Sequence, residues 1–362
     1  MLNKNIPTKE IRSGMILSAD AVDITGKVVS AKNTVLSPRI VQALIRHEIN
    51  EVHVFIPDRI LKETDLITHT EPEKTFNDTI DPEQKNFRKA LLQIAGDLSE
   101  MFESLMINPA AHYDFDSLVN KANSLSERYG NTLRVLELLQ SARDLDDTVY
   151  IHSVGVALIS RIIGIKAQMN TETLHELVLS ALFHDIGKMT ISEDVLNKTG
   201  RLTEDELEEV RSHTVLGYGI LSKTRLPHFV AECALYHHER YDGSGYPDGV
   251  KGDAIPLYAS YVAIADVYYA MTSKRTYRDD ICAFDVLTAF EDDGYQKYNV
   301  SGLLPFLNCI AQSQIGAHVI LNNGSEGNII MLNKRLTRPI IKVGSEFIDL
   351  SRKTELEIIK VV

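Results

Sequence analysis

At 362 residues the chain is long enough for roughly two or three domains, each burying a core of its own. Its 44% hydrophobic and 24% charged content excludes a disordered or fibrous chain, and the three cysteines Cys233, Cys282 and Cys309, at unrelated spacings, exclude a disulfide framework or a zinc ribbon. With 38 Lys and Arg against 50 Asp and Glu, the net charge of −12 argues against nucleic-acid or anionic-membrane binding, so a phosphate ligand has to be met by local cations.

Residues 14–36 alternate apolar and polar about a Thr25-Gly26 turn, which predicts a hairpin. Ser37-Pro38 offers an N-cap and an N1 proline to a helix through about His47, and Glu51 to Ile56 returns to strand pattern. Residues 1–60 are therefore expected to form a small α/β module. A linker is expected at 61–85, in a region where Pro57, Pro72 and Pro82 stand among Asp, Glu and Thr with little period.

From 86 to 312 the period is helical, with segments near 86–106, 115–142, 146–164, 172–184, 204–223, 228–240, 256–273 and 283–292. The part from 86 to 140 reads as an N-terminal helical extension. Thr203 with Glu206 forms a capping box, and Gly164 is a C-terminal stop. Residues 313–362 switch to short β runs, Ala317 to Leu321, Gly327 to Leu332, Pro339 to Val343 and Leu356 to Val361, with a turn at Asn322-Asn323-Gly324. The expected fold is mainly α, a helical bundle with a small N-terminal α/β module and a short C-terminal β tail. No signal-peptide core is read at the N-terminus, nor the roughly 18 apolar residues of a membrane span later, so a cytoplasmic location is expected.

One ordered series of histidines and aspartates carries the chemistry: His152, His184-Asp185, His213, His237-His238 and Asp266. Imidazole ligates Mn, Fe, Co, Ni or Zn, and a carboxylate can bridge two ions. Two such ions held close make a hydrolytic centre for phosphate esters. A lone His-Asp pair serves equally well as a helix end, so the reading rests on the whole series. Two adjacent imidazoles make an odd interior without a metal, and Asp266 lies in an apolar helix where a carboxylate is costly to bury unless paired. Lys188, four residues after His184, is placed to reach a phosphate at the same centre. His175, His228 and His318 have no partner at ligand spacing and are read as surface or satisfied core positions.

The series His152, His184-Asp185-Ile186-Gly187-Lys188, His213, His237-His238-Glu239 through Asp242-Gly243-Ser244-Gly245-Tyr246-Pro247, and Asp266 resembles the HD-GYP branch of the HD-domain phosphohydrolases. The resemblance covers roughly residues 140–300. It implies an HD-type metallohydrolase domain that hydrolyses the bacterial messenger cyclic di-GMP to pGpG and onward to GMP. Two divalent transition metals per chain are implied, Fe or Mn in the first place, with Zn, Co or Ni as alternatives. One would take His152, His184, Asp185 and Asp266; the other would take Asp185, His213, His237 and His238, with Asp185 bridging. Asp185 and Lys188 would be the catalytic pair, and Lys188, Arg275 and Arg278 would hold phosphate. Gly243 and Gly245 would let backbone approach the ligand, Tyr246-Pro247 would form a wall for a guanine or a neighbouring subunit, and Glu239 and Asp242 would support the ligands. Read as structure alone, the same loop is an ordinary turn.

Four positions depart from the family pattern. Thr148 stands where some members carry a glutamate that helps hold a third metal, so two metals are expected. Tyr269 replaces an aspartate, Ser260 an arginine and Thr214 a proline, which bears on substrate fit. The alternatives are a phosphohydrolase of another cyclic dinucleotide or nucleotide, and a non-catalytic cyclic di-GMP-binding regulator. No nucleic acid or membrane is expected as a partner, and a homodimer or a signalling-protein partner stays open.

Overall fold

The computed structural model describes residues 2–8, 16–22, 27–32 and 51–56 with isolated positions between 34 and 49, then 81–130, 132–142, 145, 148–198, 200–272 and 283–361. The chain divides into two compact units, Met1–Asp78 and Thr79–Val362.

The smaller unit holds β1 (Leu2–Pro7), β2 (Ile16–Leu17), β3 (Ala21–Val22), β4 (Val28–Ser30) and β5 (Glu51–Ile56). β5 is the middle of an antiparallel sheet ordered β1-β5-β2, while β3 and β4 pair separately. Val52 and Val54, two apart on one face of β5, are buried with Leu17, Leu36 and Leu44. Of the helix expected from Ser37 to His47, Ile40 and Leu44 are described as helical.

The larger unit opens with α1 (Pro82–Ile107), where Asp81 caps the amide of Glu83 and Pro82 takes the first helical position. The end of the expected linker 61–85 is therefore helical, and its remainder up to residue 80 lies outside the described residues. α2 (Phe115–Arg128) and α3 (Thr132–Ser141) replace one expected helix, broken at Gly130, whose φ of +57° a helix interior does not take. Then come α4 (Val149–Lys166), α5 (Thr171–Phe183), a 3-10 turn at Ile186–Thr190, α6 (Glu193–Leu196), α7 (Glu204–Arg211), α8 (His213–Leu221), α9 (His228–Tyr236), α10 (Leu257–Thr272), α11 (Ala283–Lys297) and α12 (Val300–Ser313). The run expected as one helix from 204 to 223 divides at Ser212, whose hydroxyl donates to the carbonyl of Glu209. α12 lies almost wholly within the region 86–312 expected to be helical, past the last segment placed there, and runs through Pro305, ordinarily a breaker.

α4 is apolar on nearly every side, as a helix at the middle of a bundle is, and it packs against α1, α5, α10 and α12. By length and composition it is apolar enough to cross a membrane, contrary to the expectation from the sequence, and 67% of it is buried within the protein. The tail forms an antiparallel sheet of β6 (His318–Leu321), β7 (Glu326–Met331), β8 (Ile340–Val343), β9 (Glu346–Asp349) and β10 (Ile358–Val361), ordered β10-β6-β7-β8-β9. Val319, Leu321, Ile329 and Ile341 turn inward to join the bundle core. The carboxylate of Glu291 on α11 accepts the amides of Leu336 and Thr337, which ties the sheet to the helices.

Candidate metal centre

Five chain segments deliver the ordered series to one place. His152 lies in the first turn of α4, after Thr148, whose hydroxyl accepts the amide of Ile151. α5 ends at Phe183, so His184 and Asp185 follow where the chain turns into the 3-10 segment. Phe183 is wholly buried, edge-on to Phe115 of α2 at 5.7 Å and tilted against Phe102 of α1 at 5.6 Å. Phe102 also meets Tyr150 of α4 edge-on. The helical extension thus braces both the His152 turn and the end of α5. His213 opens α8, His237 and His238 follow α9, and Asp266 stands within α10.

Three of the rings are aimed by the same device. Nδ1 of His184 lies 2.7 Å from the carbonyl of Ala181, Nδ1 of His213 lies 2.6 Å from that of Val210, and Nδ1 of His237 lies 3.0 Å from that of Ala234. A carbonyl only accepts, so each Nδ1 carries the proton and donates, and each Nε2 keeps a lone pair. Those Nε2 atoms converge on Asp185: His184 at 3.3 Å from Oδ2, with His213 at 3.4 Å and His237 at 3.7 Å from Oδ1. His152 Nε2 lies 3.4 Å from Asp185 Oδ2 and 3.1 Å from Asp266 Oδ1, and His238 Nδ1 lies 3.9 Å from Asp266 Oδ2.

Two donor sets result, Asp185 with His213, His237 and His238, and Asp185 with His152 and His184, each with its ligand atoms within 4.8 Å of one another. Asp185 belongs to both. Asp266 touches a member of each. His152 Nε2, His184 Nε2 and Asp185 Oδ1 are buried without a hydrogen-bond partner. Buried polar atoms left this way are costly unless something else meets them, and imidazole nitrogens with carboxylate oxygens suit first-row transition metals. The residues fit a metal pair.

The electrostatics favour the neutral form at three of the histidines. Burial pushes the His213 imidazole down, and burial together with the neighbouring rings of His238 and His184 pushes His237 well below its ordinary value. Burial takes His238 down to about 3. For His184 burial is outweighed by Asp185 and Asp266, which hold it above the ordinary range. Burial would raise both carboxyls, but Lys188 and His184 hold Asp185 well below the carboxylate range, and His152 and His238 do the same for Asp266. Lys188 Nζ lies 2.6 Å from Asp185 Oδ2.

The loop after His238 folds back over the centre. Tyr246 stacks on His238, with ring centroids 4.7 Å apart and planes 25° apart. A Cβ on Gly245 would lie 2.4 Å from Cα of Glu239 and 2.5 Å from the amide nitrogen of Arg240, so this glycine serves the loop's return onto its own helix end rather than the approach of a ligand. Glu239 is buried, and one of its oxygens accepts the amides of Asp248 and Gly249 at 2.8 and 2.9 Å, fastening the loop just past Pro247. Asp242 departs from the role expected of it: its carboxylate accepts from Ser244 at the exposed turn that includes Gly243. Arg275 and Arg278 lie outside the described residues.

Among the departures from the family pattern, Thr148 is engaged as a helix cap, while Ser260 donates to the carbonyl of Leu257 in its own helix and Thr214 to that of Arg211 at the end of α7. Tyr269 alone of these four is in ring contact with a candidate ligand, edge-on to His152 at 5.1 Å. Sequence reasoning assigned no role to Gly187, Gly217 or Arg211. Gly187 and Gly217 carry a usable signal, since each is set close after a candidate ligand, and their backbones are packed together. Arg211 carries none, because its place over Tyr246 depends on tertiary approach.

A model of the HD domain family matches residues 116–297. The chain is 39% identical over 167 residues, 45% of its own length and 43% of the relative's, to the cyclic di-GMP phosphodiesterase response regulator RpfG of Xanthomonas campestris. It is 32% identical over 229 residues, 62% of its length and 54% of the relative's, to a cyclic di-GMP phosphodiesterase of Pseudomonas aeruginosa. To the 3'3'-cGAMP-specific phosphodiesterase 1 of Vibrio cholerae it is 38% identical over 136 residues, 38% of its length and 32% of the relative's. The chain spans about half the length of the first two relatives and a third of the last.

Proposed function

The chain belongs to the HD-domain family, in its HD-GYP branch, and from that premise we propose that it is a metal-dependent phosphodiesterase that opens cyclic di-GMP to pGpG. The observation that carries the reading is Asp185: one buried carboxylate whose two oxygens face two sets of imidazole nitrogens. His152, His184, Asp185 and Asp266 would hold one metal, and Asp185, His213, His237 and His238 the other, with Fe or Mn the first choice. When bound, such a pair supplies Lewis acidity and a water acidic enough to attack phosphorus near neutral pH.

The chain's own residues do the rest. The carbonyls of Ala181, Val210 and Ala234 keep three rings in the tautomer that offers Nε2. Lys188 stands beside Asp185, where its ammonium meets the charge that grows on the phosphate oxygens in the transition state. The loop held by Glu239 covers His238 with Tyr246 and keeps bulk water from that side. Addition of one water across the P–O bond opens the ring, leaving the phosphate on one nucleoside and a proton on the departing oxygen. A second hydrolysis to GMP uses the same groups.

The test is product analysis with metal-replete protein on cyclic di-GMP, 3'3'-cGAMP, single-stranded RNA and GMP. Cyclic di-GMP is expected to be cleaved fastest, with pGpG appearing first. Faster turnover of 3'3'-cGAMP would move the substrate within the cyclic dinucleotides. Turnover of GMP equal to or better than that of cyclic di-GMP would replace this reading by a general phosphohydrolase, and binding of cyclic di-GMP without turnover would replace it by a regulator.

A further inference from the structure

Among the described residues two groups are in ring or cation contact with Tyr246. His238 is stacked on it at 4.7 Å, and the guanidinium carbon of Arg211 stands over it, 5.3 Å from the centroid. A nearly parallel imidazole at that distance covers one face, and the cation stands over the same ring. The ring is thus already engaged by an imidazole and a cation, and Arg211 is exposed beside it.

Arg211 is the last residue of α7, whose other charged members, Glu204, Asp205, Glu206, Glu208 and Glu209, are all acidic. Yet among the described residues its guanidinium pairs with no carboxylate, Glu208 one turn back included. Its backbone is fastened close to the centre, because its carbonyl accepts the hydroxyl of Thr214, the residue after His213. The ring of Tyr246 attracts and holds the cation without using its N–H donors.

A cyclic dinucleotide carries two phosphodiesters. One has Lys188 and the ligand set; the other, beside a chain whose net charge is −12, gains from a further cation in addition to whatever Arg275 and Arg278 supply. A guanidinium is the side chain best shaped for it, offering two parallel donors to two phosphate oxygens. We propose that Arg211 is a substrate-positioning residue that binds the phosphodiester of the cyclic dinucleotide that is not being cut. The inference rests on the function proposed above and deepens it. Arg211 would then favour substrates with two phosphates over those with one.

The experiment compares wild type with Arg211→Met, which keeps the stem and removes the charge, and with Arg211→Lys. Each is assayed for metal content and for kcat and KM on cyclic di-GMP and on the single phosphodiester bis(p-nitrophenyl) phosphate. Arg211→Met is expected to raise KM for cyclic di-GMP roughly 10- to 100-fold, as for a lost charged hydrogen bond. Saturated kcat, metal content and KM for the single phosphodiester are expected to stay unchanged, and Arg211→Lys to recover part of the loss. An unmoved KM for cyclic di-GMP, an equal rise on both substrates, or loss of metal would overturn the proposal, the last by showing that Arg211 merely holds Tyr246 and His238 in place. Wild-type protein that turns over no cyclic dinucleotide would overturn the underlying function too, whereas wild-type turnover with an unmoved variant KM would overturn this inference alone.

Discussion

A Cβ on Gly187 would lie 1.9 Å from the carbonyl oxygen of His213 and 2.7 Å from the amide nitrogen of Gly217. The segment that carries Asp185 and the helix that carries His213 therefore touch backbone to backbone, and this contact lets the His213 nitrogen come within 3.4 Å of Asp185. Gly187→Ala should push α8 away. Expected are a destabilisation of about 1–3 kcal/mol from overpacking and a fall in turnover on the order of 100-fold, as for a displacement of about 1 Å at a reacting centre. Thermal unfolding and metal content check it; a variant with native metal content and turnover would show that the approach is not required.

Asp185→Ala and Lys188→Ala separate holding metal from engaging phosphate. The first removes the one carboxylate common to both donor sets and should abolish both metal pairing and hydrolysis. The second should keep its metals and weaken phosphate engagement by about 1–3 kcal/mol, the range for lost hydrogen bonds of charged groups. Elemental analysis beside kcat/KM decides. Near-native hydrolysis by Asp185→Ala would refute the bridging role.

Two metals per chain are expected, because Thr148, at the position of a potential third-metal ligand, spends its hydroxyl on the amide of Ile151. Reproducible occupancy near three in anaerobically purified protein would contradict this. Removing the ions with a chelator should also lower the thermal midpoint, since a ligand at 100 times its Kd contributes about 2.7 kcal/mol for each site.

In metal-free protein the stability should fall on acidification from about pH 6.5. His213, His237 and His238 have folded values below their ordinary one. Below about 6.5 the unfolded chain therefore binds protons there that the folded chain refuses, and each group loses up to about 1.4 kcal/mol per pH unit within its window. His184, with a raised value, acts oppositely: its contribution is complete below about 6.5 and is lost as pH rises through its folded value. Asp185 and Asp266 contribute steadily until the pH nears about 3.9, below which their stabilisation too is lost. Three groups against one give a lower midpoint at pH 5 than at pH 7 in chelator. An equal or higher midpoint at pH 5 would contradict the balance.

The ligand series was legible because it is local: His184-Asp185 and His237-His238 are neighbours in the chain, and His152, His213 and Asp266 sit on helices whose period is plain. The breaks at Gly130 and Ser212 were not, since a single turn leaves the apolar period nearly intact on both sides. β9 was missed because Glu346–Asp349 carries little of the alternating burial that marks a half-buried strand. The place of Arg211 over Tyr246 was not legible for a tertiary reason, as the two come from separate segments.

The acceptors that aim His184, His213 and His237 are main-chain carbonyls. No substitution can delete them. Side chains across the bundle can drift while three rings go on pointing at the same spot, and the inheritance of that aim needs only the helix ends. Descendants of this chain can therefore lose the centre by replacing a ring or breaking a helix end, but they cannot gradually turn it to face elsewhere.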